Sequence, residues 1–297
     1  MIGRRELILG LTSGGLAAGL AGAAAAQGKG AAGALPLQRL QALETRSGGR
    51  LGVAIVDVSS GAGLRHRGGE RFAMCSTFKA LAAAAVLARV DEGRDRLGRR
   101  IAYAESDLVA YSPATKRNAG AGMTLDALCE AAVTLSDNTA ANLILKTLGG
   151  PAGLTAWPRS IGDPTTRLDR WEPELNTAIP GDPRDTTTPD AMVETLRSLI
   201  LRRALTPASR ARLTGWLVGN RTGDARLRAG LPKGWRVGDK TGTGPEETGT
   251  SNDVAIVWRA YGRPALVAAY LTRSGLDGPG RDAILAEVGR IAAEVLA

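Results

Sequence analysis

Histidine is almost missing from this chain: His66 is the only one in 297 residues. With no His/Cys/Asp spacing of the zinc type, zinc-dependent hydrolysis is excluded and no metal or other cofactor is expected. Cysteine is nearly as rare, Cys75 and Cys129 being the only two. None precedes Cys75, so the amino-terminal segment carries no lipoprotein anchor. Aromatic residues make up 4% of the chain. The arginines are scattered, without the aromatic interleaving of a single-strand binder, and a nucleic-acid partner is not expected. No Pro/Gly/Ser-rich linker cuts the middle, and no repeat or low-complexity stretch occurs outside an Ala/Gly-rich beginning. One compact, two-lobed unit is expected.

Lysine is scarce as well, with six against 32 arginines. The overall balance is +9, which solubility, a basic proteome or attraction of an anionic substrate would explain equally. At 44% hydrophobic and 23% charged, the chain is otherwise of ordinary globular composition.

The first 26 residues read as a signal peptide. Arg4 and Arg5 precede the apolar run Leu7 to Leu20, and Ala24-Ala25-Ala26 offers small residues for cleavage before Gln27. That run is too short to span a bilayer comfortably. Arg4-Arg5-Glu6-Leu7-Ile8 with a Gly-rich, mildly apolar core is twin-arginine-like, a general secretory signal being the alternative. The expected mature protein is periplasmic or secreted, without a membrane segment, monomeric, and of charge +8.

Strands are expected at both ends, from the β-branched runs Leu51 to Val58, Asn252 to Trp258 and Ala265 to Leu271. Between them lie helical patterns: the run opened by Ser76 and stopped at Gly93, Leu125 to Leu135, and Thr139 to Leu148 capped by Gly149-Gly150. A last helix, Ala283 to Leu296, would cover the sheet. Pro158 falls in a segment expected to be helical and predicts a kink or early end. Strands, then helices, then strands imply an α+β architecture in which the chain leaves a sheet, builds a helical lobe and returns. The lobes are drawn at 35–68 plus 219–297 for the α/β part and 69–218 for the helical part.

Chemistry concentrates in four motifs. In Ser76-Thr77-Phe78-Lys79, the i, i+3 spacing puts a hydroxyl and an amine on one helix face, within reach of each other. Ser-x-x-Lys is a common tetrapeptide, but two of only six lysines occupy the motif positions Lys79 and Lys240. A buried lysine can lose its proton and serve as a base, which an arginine cannot. A nucleophile at a helix start also meets backbone N–H groups that can receive an oxyanion. Ser136-Asp137-Asn138 falls in the break between two helices, where a turn or N-cap is the plain alternative. Lys240-Thr241-Gly242-Thr243-Gly244 ends a strand starting near Arg236, and Gly242 lets a ligand approach the backbone. In Arg167-Leu168-Asp169-Arg170-Trp171-Glu172-Pro173-Glu174-Leu175-Asn176, a carboxylate and an amide stand where they can orient a water.

Taken together, these motifs are a signature shared by class A β-lactamases and penicillin-binding proteins, and the chain resembles a class A serine β-lactamase over nearly all of residues 35 to 297. The resemblance implies a five-stranded antiparallel sheet flanked by helices, an all-helical lobe, and an active site in the cleft between. It implies Ser76 as nucleophile, Lys79 as its partner, Ser136 as proton relay, and Glu172 with Asn176 as holders of the hydrolytic water. Asn138 would hold the substrate amide and Tyr111 the cleft mouth. Lys240, Ser136 and Thr241 or Thr243 would receive the substrate carboxylate, with the Thr243 and Ser76 N–H groups forming the oxyanion hole beside Gly242. Arg226 is the implied supporting arginine, since Glu247-Thr248-Gly249-Thr250 lacks one, and Arg281 is held in reserve. Structural roles fall to Asp137, to an Arg170–Asp185 pair at the loop neck, and to a cis Glu172–Pro173 bond.

Relatives of this kind can bridge the Cys129 position to the nucleophile helix, but Ala83 occupies the matching place, so two unpaired cysteines are expected. Some carbapenem-hydrolysing relatives join the Cys75 position to a cysteine just after the Lys-Thr-Gly strand, where this chain has Gly244. The implied substrates are therefore penicillins and cephalosporins rather than carbapenems. A penicillin-binding peptidase or a slowly deacylating sensor is the competing reading, and Glu172 with Asn176 argues against it.

Overall fold

The structure is a computed structural model that describes residues 20–259 and 262–297. Of the expected signal peptide, residues 1–19 lie outside the described residues. Among the described residues no helix is long and apolar enough to cross a membrane.

A five-stranded antiparallel sheet is built from β1 (Arg50–Asp57), β2 (Gly63–His66), β3 (Arg236–Thr243), β4 (Ser251–Trp258) and β5 (Pro264–Thr272), in the order β2-β1-β5-β4-β3. Both faces are buried, and the period of two sorts their side chains. On β1, Leu51, Val53 and Ile55 face one cluster, which takes Leu40 and Leu43 of α1 (Leu20–Ser47) and Leu285, Val288 and Ile291 of α9 (Gly278–Leu296). Ala54 and Val56 face the other cluster, around α2 (Phe78–Asp91). This two-sided burial is why these strands read as continuous apolar runs.

The helical part holds α2, α3 (Leu125–Thr134), α4 (Asn138–Leu148), α5 (Gly150–Ser160), α6 (Pro189–Ile200) and α7 (Pro207–Val218), with the four-residue α8 (Leu227–Gly230) returning to the sheet. Helix α2 is buried continuously from Phe78 to Ala88, as a helix apolar all round must be. Ser76 itself lies in a 3₁₀ turn, Cys75–Thr77, that runs into α2. Gly149 ends α4 at φ +86°, the left-handed cap glycine favours. Helix α5 stops two residues beyond Pro158. Helix α9 starts five residues earlier than its apolar pattern predicts, because Asp277 Oδ1 accepts from Gly280 N at 2.9 Å and Pro279 fits the first turn.

Candidate active site

Four chain segments meet at the nucleophile. Ser76 Oγ donates to Glu172 Oε1 at 3.3 Å, and Lys79 Nζ stands 3.0 Å from that same oxygen with both charged side chains fully buried. Lys79 Nζ also donates to Ser136 O at 2.7 Å and Asn138 Oδ1 at 2.5 Å. Its donors are thereby spent, and the direct Ser76–Lys79 hydrogen bond expected from the i, i+3 spacing is not made. The two side chains meet instead at a shared Glu172 oxygen. Burial lowers the Lys79 pKa, with the Glu172 carboxylate pulling the other way.

Ser136 lies between α3 and α4 at φ +58°. Its hydroxyl accepts from Lys240 Nζ at 3.1 Å and is 3.5 Å from Lys79 Nζ. Asp137, not Ser136 or Asn138, is the N-cap of α4, accepting from Ala140 N at 2.8 Å. Its carboxylate also takes Ala114 N and Thr115 N, both at 2.9 Å, and the Thr115 hydroxyl at 2.8 Å. A fully buried carboxylate needs such donors, and here they fix the loop that carries Tyr111. Asn138 continues this brace, donating from Nδ2 to Ala110 O at 2.9 Å and from its backbone N to Tyr111 O at 3.0 Å. Tyr111 is 62% exposed at the mouth of the cleft.

The Glu172 loop is held at both ends. Arg170 Nε donates to Asp185 Oδ2 at 2.5 Å, while Asp185 Oδ1 takes the N–H groups of Asp169 and Arg170 at 2.7 and 3.0 Å. The Glu172–Pro173 bond is cis. Asn176 Nδ2 donates to Glu172 Oε2 and, at 3.0 Å, to Pro173 O, which leaves Asn176 Oδ1 buried with no hydrogen-bond partner. Sequence reasoning missed Asn142. Its side chain accepts from Glu172 N at 3.0 Å and donates to Glu172 O at 2.9 Å, holding the backbone of the carboxylate residue. Its one local sign is the four-residue step from Asn138, which places both on one face of α4.

Strand β3 closes the cleft. Lys240 is fully buried, its Nζ bound to Ser136 Oγ and to Thr241 O at 2.9 Å. Burial first, then the nearby Lys79 charge, pushes its pKa down to about 7. It therefore stands behind Ser136 rather than lining the cleft. The opening, about 440 Å³, is lined by Ser76, Tyr111, Ser136, Asn138, Asn176, Thr222, Arg226, Thr241 and Thr243. Arg226 reaches it by donating to Thr243 Oγ1 and Gly242 O, both at 2.9 Å, with Nε on Asp282 at 2.8 Å. Arg281 does not reach it: its guanidinium is taken by Glu246, Ser251 and Leu276 O. Thr222, which the motifs did not single out, bonds hydroxyl to hydroxyl with Thr241 at 2.5 Å. Cys75 and Cys129 are buried and unpaired, and burial pushes both thiol pKa values up.

A family model described as the beta-lactamase enzyme family matches residues 36–296. The chain belongs to that family. Beta-lactamase CTX-M-97 of Escherichia coli is 50% identical over 254 residues, covering 86% of this chain and 87% of the relative. Beta-lactamase OXY-2 of Klebsiella oxytoca is 50% identical over 259 residues, covering 87% of this chain and 89% of the relative. Among solved structures, an ancestral class A β-lactamase aligns with a TM-score of 0.85 and 64% identity, over 87% of this chain and 99% of that one. A putative class A β-lactamase from Rhodopseudomonas palustris aligns with a TM-score of 0.85 and 56% identity, over 87% and 98%. As a class A serine β-lactamase, this enzyme hydrolyses β-lactams, and its α+β fold is that of the class.

Proposed function

We propose that this β-lactamase acts on penicillins and cephalosporins through an ester on Ser76 that a Glu172-activated water releases. The observation that carries this reading is Glu172 Oε1, which stands 3.3 Å from Ser76 Oγ and 3.0 Å from Lys79 Nζ in a buried site. Ser76 Oγ attacks the lactam carbonyl as its proton passes to Glu172. The Ser76 and Thr243 N–H groups receive the oxyanion. Ser136 gives its proton to the departing lactam nitrogen and is resupplied from Lys79, which recovers a proton from Glu172. The acyl-enzyme then carries the opened ring.

For release, Glu172 and Asn176 orient a water. The buried, unpartnered Asn176 Oδ1 is an acceptor available to that water beside the carboxylate. Glu172 takes the water's proton as the water oxygen attacks the ester, and returns it to Ser76 Oγ, 3.3 Å away, as the serine leaves as the hydroxyl. Arg226, Thr241, Thr243 and Ser136 bind the substrate carboxylate, with the Lys240 charge behind Ser136. Asn138 holds the substrate amide, with Tyr111 beside it at the mouth. Asp137, Arg170, Asp185 and Pro173 keep the two loops in place.

The site lies between a helical lobe of residues 69–218 and an α/β lobe of 35–68 plus 219–297. Residues 1–26 direct export to the periplasm or the medium, and the mature enzyme works as a monomer with no nucleic-acid or membrane partner. A stopped-flow and steady-state assay with benzylpenicillin and a chromogenic cephalosporin, followed by mass spectrometry of Ser76, tests the reading. Rapid turnover without lasting adduct is expected. A persistent adduct would mean that Glu172 does not activate water and that the acyl-enzyme is the end point.

A further inference from the structure

Asn252 of β4 is 1% exposed and pairs with Gly242 of β3. Its side chain lies on the same face as Val254 and Ile256, which pack toward α2. There Nδ2 donates to Ala73 O at 2.9 Å and to Met74 O at 3.1 Å. These are the last two peptide oxygens before Cys75 and Ser76. The Asn252 carbonyl in turn accepts from Arg226 Nη1 at 2.8 Å, and the same nitrogen holds Gly242 O.

The turn held in this way is a demanding one. Cys75 sits at φ +46°, a conformation that costs a residue with a Cβ about 1–2 kcal/mol. It needs partners that over-determine it. Met74 O receives three: Asn252 Nδ2, Thr77 N at 3.2 Å and Thr77 Oγ1 at 2.9 Å. Of these, only Asn252 comes from outside the turn. The strand lies against the turn closely enough that a Cβ added at Gly242 would stand 2.6 Å from Met74 O. Two separate segments, the Ser76 turn and the end of β3, must supply the two N–H groups of one oxyanion hole.

We propose that Asn252 is a positioning residue that sets the spacing between the Ser76 and Thr243 N–H groups, and that Arg226 ties this spacer to the carboxylate-binding side of the cleft. The inference rests on the reading of Ser76 as nucleophile. Substrate and transition state differ most at the oxyanion, so a looser spacing weakens the transition state and leaves ground-state binding intact. Misplacement by an ångström suffices for about a 100-fold loss.

The isosteric N252D replaces two donors with a carboxylate aimed at two carbonyl oxygens. Folded N252D is expected to lose roughly 10- to 100-fold in kcat/KM, with an equal loss of affinity for an aryl boronic acid, whose tetrahedral adduct mimics the oxyanion. In a Ser76→Ala background, which cannot be acylated, N252D should leave the Kd for intact benzylpenicillin unchanged. Lowering the pH should restore part of the loss, because a protonated carboxyl regains a donor. N252S, with one small donor, should fall between and carries the test if N252D does not fold. Wild-type boronate affinity in either folded variant would overturn the proposal, as would parallel weakening of benzylpenicillin in the Ser76→Ala background. Turnover of benzylpenicillin by Ser76→Ala at the parent rate would instead overturn the nucleophile reading.

Discussion

Lys79 Nζ and Glu172 Oε1 lie 3.0 Å apart with neither side chain open to solvent. Each is what makes the other tolerable there. Burying an isolated ammonium or carboxylate is costly, whereas here each group stands against its opposite. Burial lowers the Lys79 pKa and Glu172 opposes that shift, so removing the carboxylate charge changes the state of the amine as well.

Glu172→Gln follows from this coupling. Without its partner the Lys79 pKa falls further, which favours the amine as the acceptor of the Ser76 proton, so acylation continues at a reduced rate. Release has no such substitute and should slow by about 10² to 10⁴. Mass spectrometry after mixing with benzylpenicillin should find the adduct on Ser76. If the variant turns over without a trapped adduct, Glu172 is not the base for release.

Lys240 gives a pH dependence. Its folded pKa is about 7 against an ordinary 10.5, so between these values the unfolded chain holds a proton that the folded one has lost. Stability contributed through this group therefore rises with pH across that window. Below about 7 the folded enzyme buries the charge at a cost of a few kcal/mol. Lys240→Met should be more stable than the parent at pH 6, by urea denaturation, with the advantage closing toward pH 10. Catalysis runs the other way: kcat/KM for a penicillin should fall above about 7 as the charge behind Ser136 disappears. Lys240→Arg keeps its charge and should abolish that limb; an unchanged limb would assign it to another group.

The neck of the Glu172 loop should be separable from its chemistry. Asp185 is fully buried and takes Arg170 Nε together with two backbone N–H groups. Asp185→Ala leaves all three donors without that acceptor and should cost about 3–5 kcal/mol. Asp185→Asn keeps one acceptor oxygen and should cost less. In both, deacylation should slow more than acylation, since Lys79 can stand in for Glu172 in acylation but not in release. Equal slowing of the two steps in presteady-state kinetics would show that the neck supports the whole cleft.

The motif segments were legible because their chemistry fixes residue type at short spacing. The β-branched runs of β1, β4 and β5 were legible for a similar reason, burial on both faces. What escaped was contact over distance. Asn142 and Asn252 bind the backbone of segments 30 and about 179 residues away, and nothing local distinguishes them from any helical or strand asparagine. The i, i+3 rule expects Ser76 and Lys79 to meet directly, but Ser76 lies in the 3₁₀ turn before α2 and the lysine is long enough to be captured by Glu172, Ser136 and Asn138. Arg226 was the first choice and Arg281 the reserve, and contacts distant in sequence, Glu246 and Ser251, take up the second.

Gly244, the residue after β3, lies against the Glu172 loop. A Cβ there would stand 2.5 Å from Thr248 Oγ1, 3.1 Å from Asn176 O and 3.1 Å from Thr250 Cβ. The threonine hydroxyl can rotate away, but the Asn176 carbonyl is backbone, and the loop must shift by a few tenths of an ångström. Asn176 Nδ2 bonds Glu172 Oε2, so the shift reaches the carboxylate directly. Gly244→Ala should lower stability by about 1–3 kcal/mol through overpacking and should slow deacylation of benzylpenicillin more than acylation. Relief should come from Thr248→Ala in the same chain only if the hydroxyl is the main obstacle. If the double variant deacylates as slowly as Gly244→Ala alone, the strain runs through the Asn176 backbone, which is the expected outcome because the hydroxyl can rotate away and the backbone carbonyl cannot.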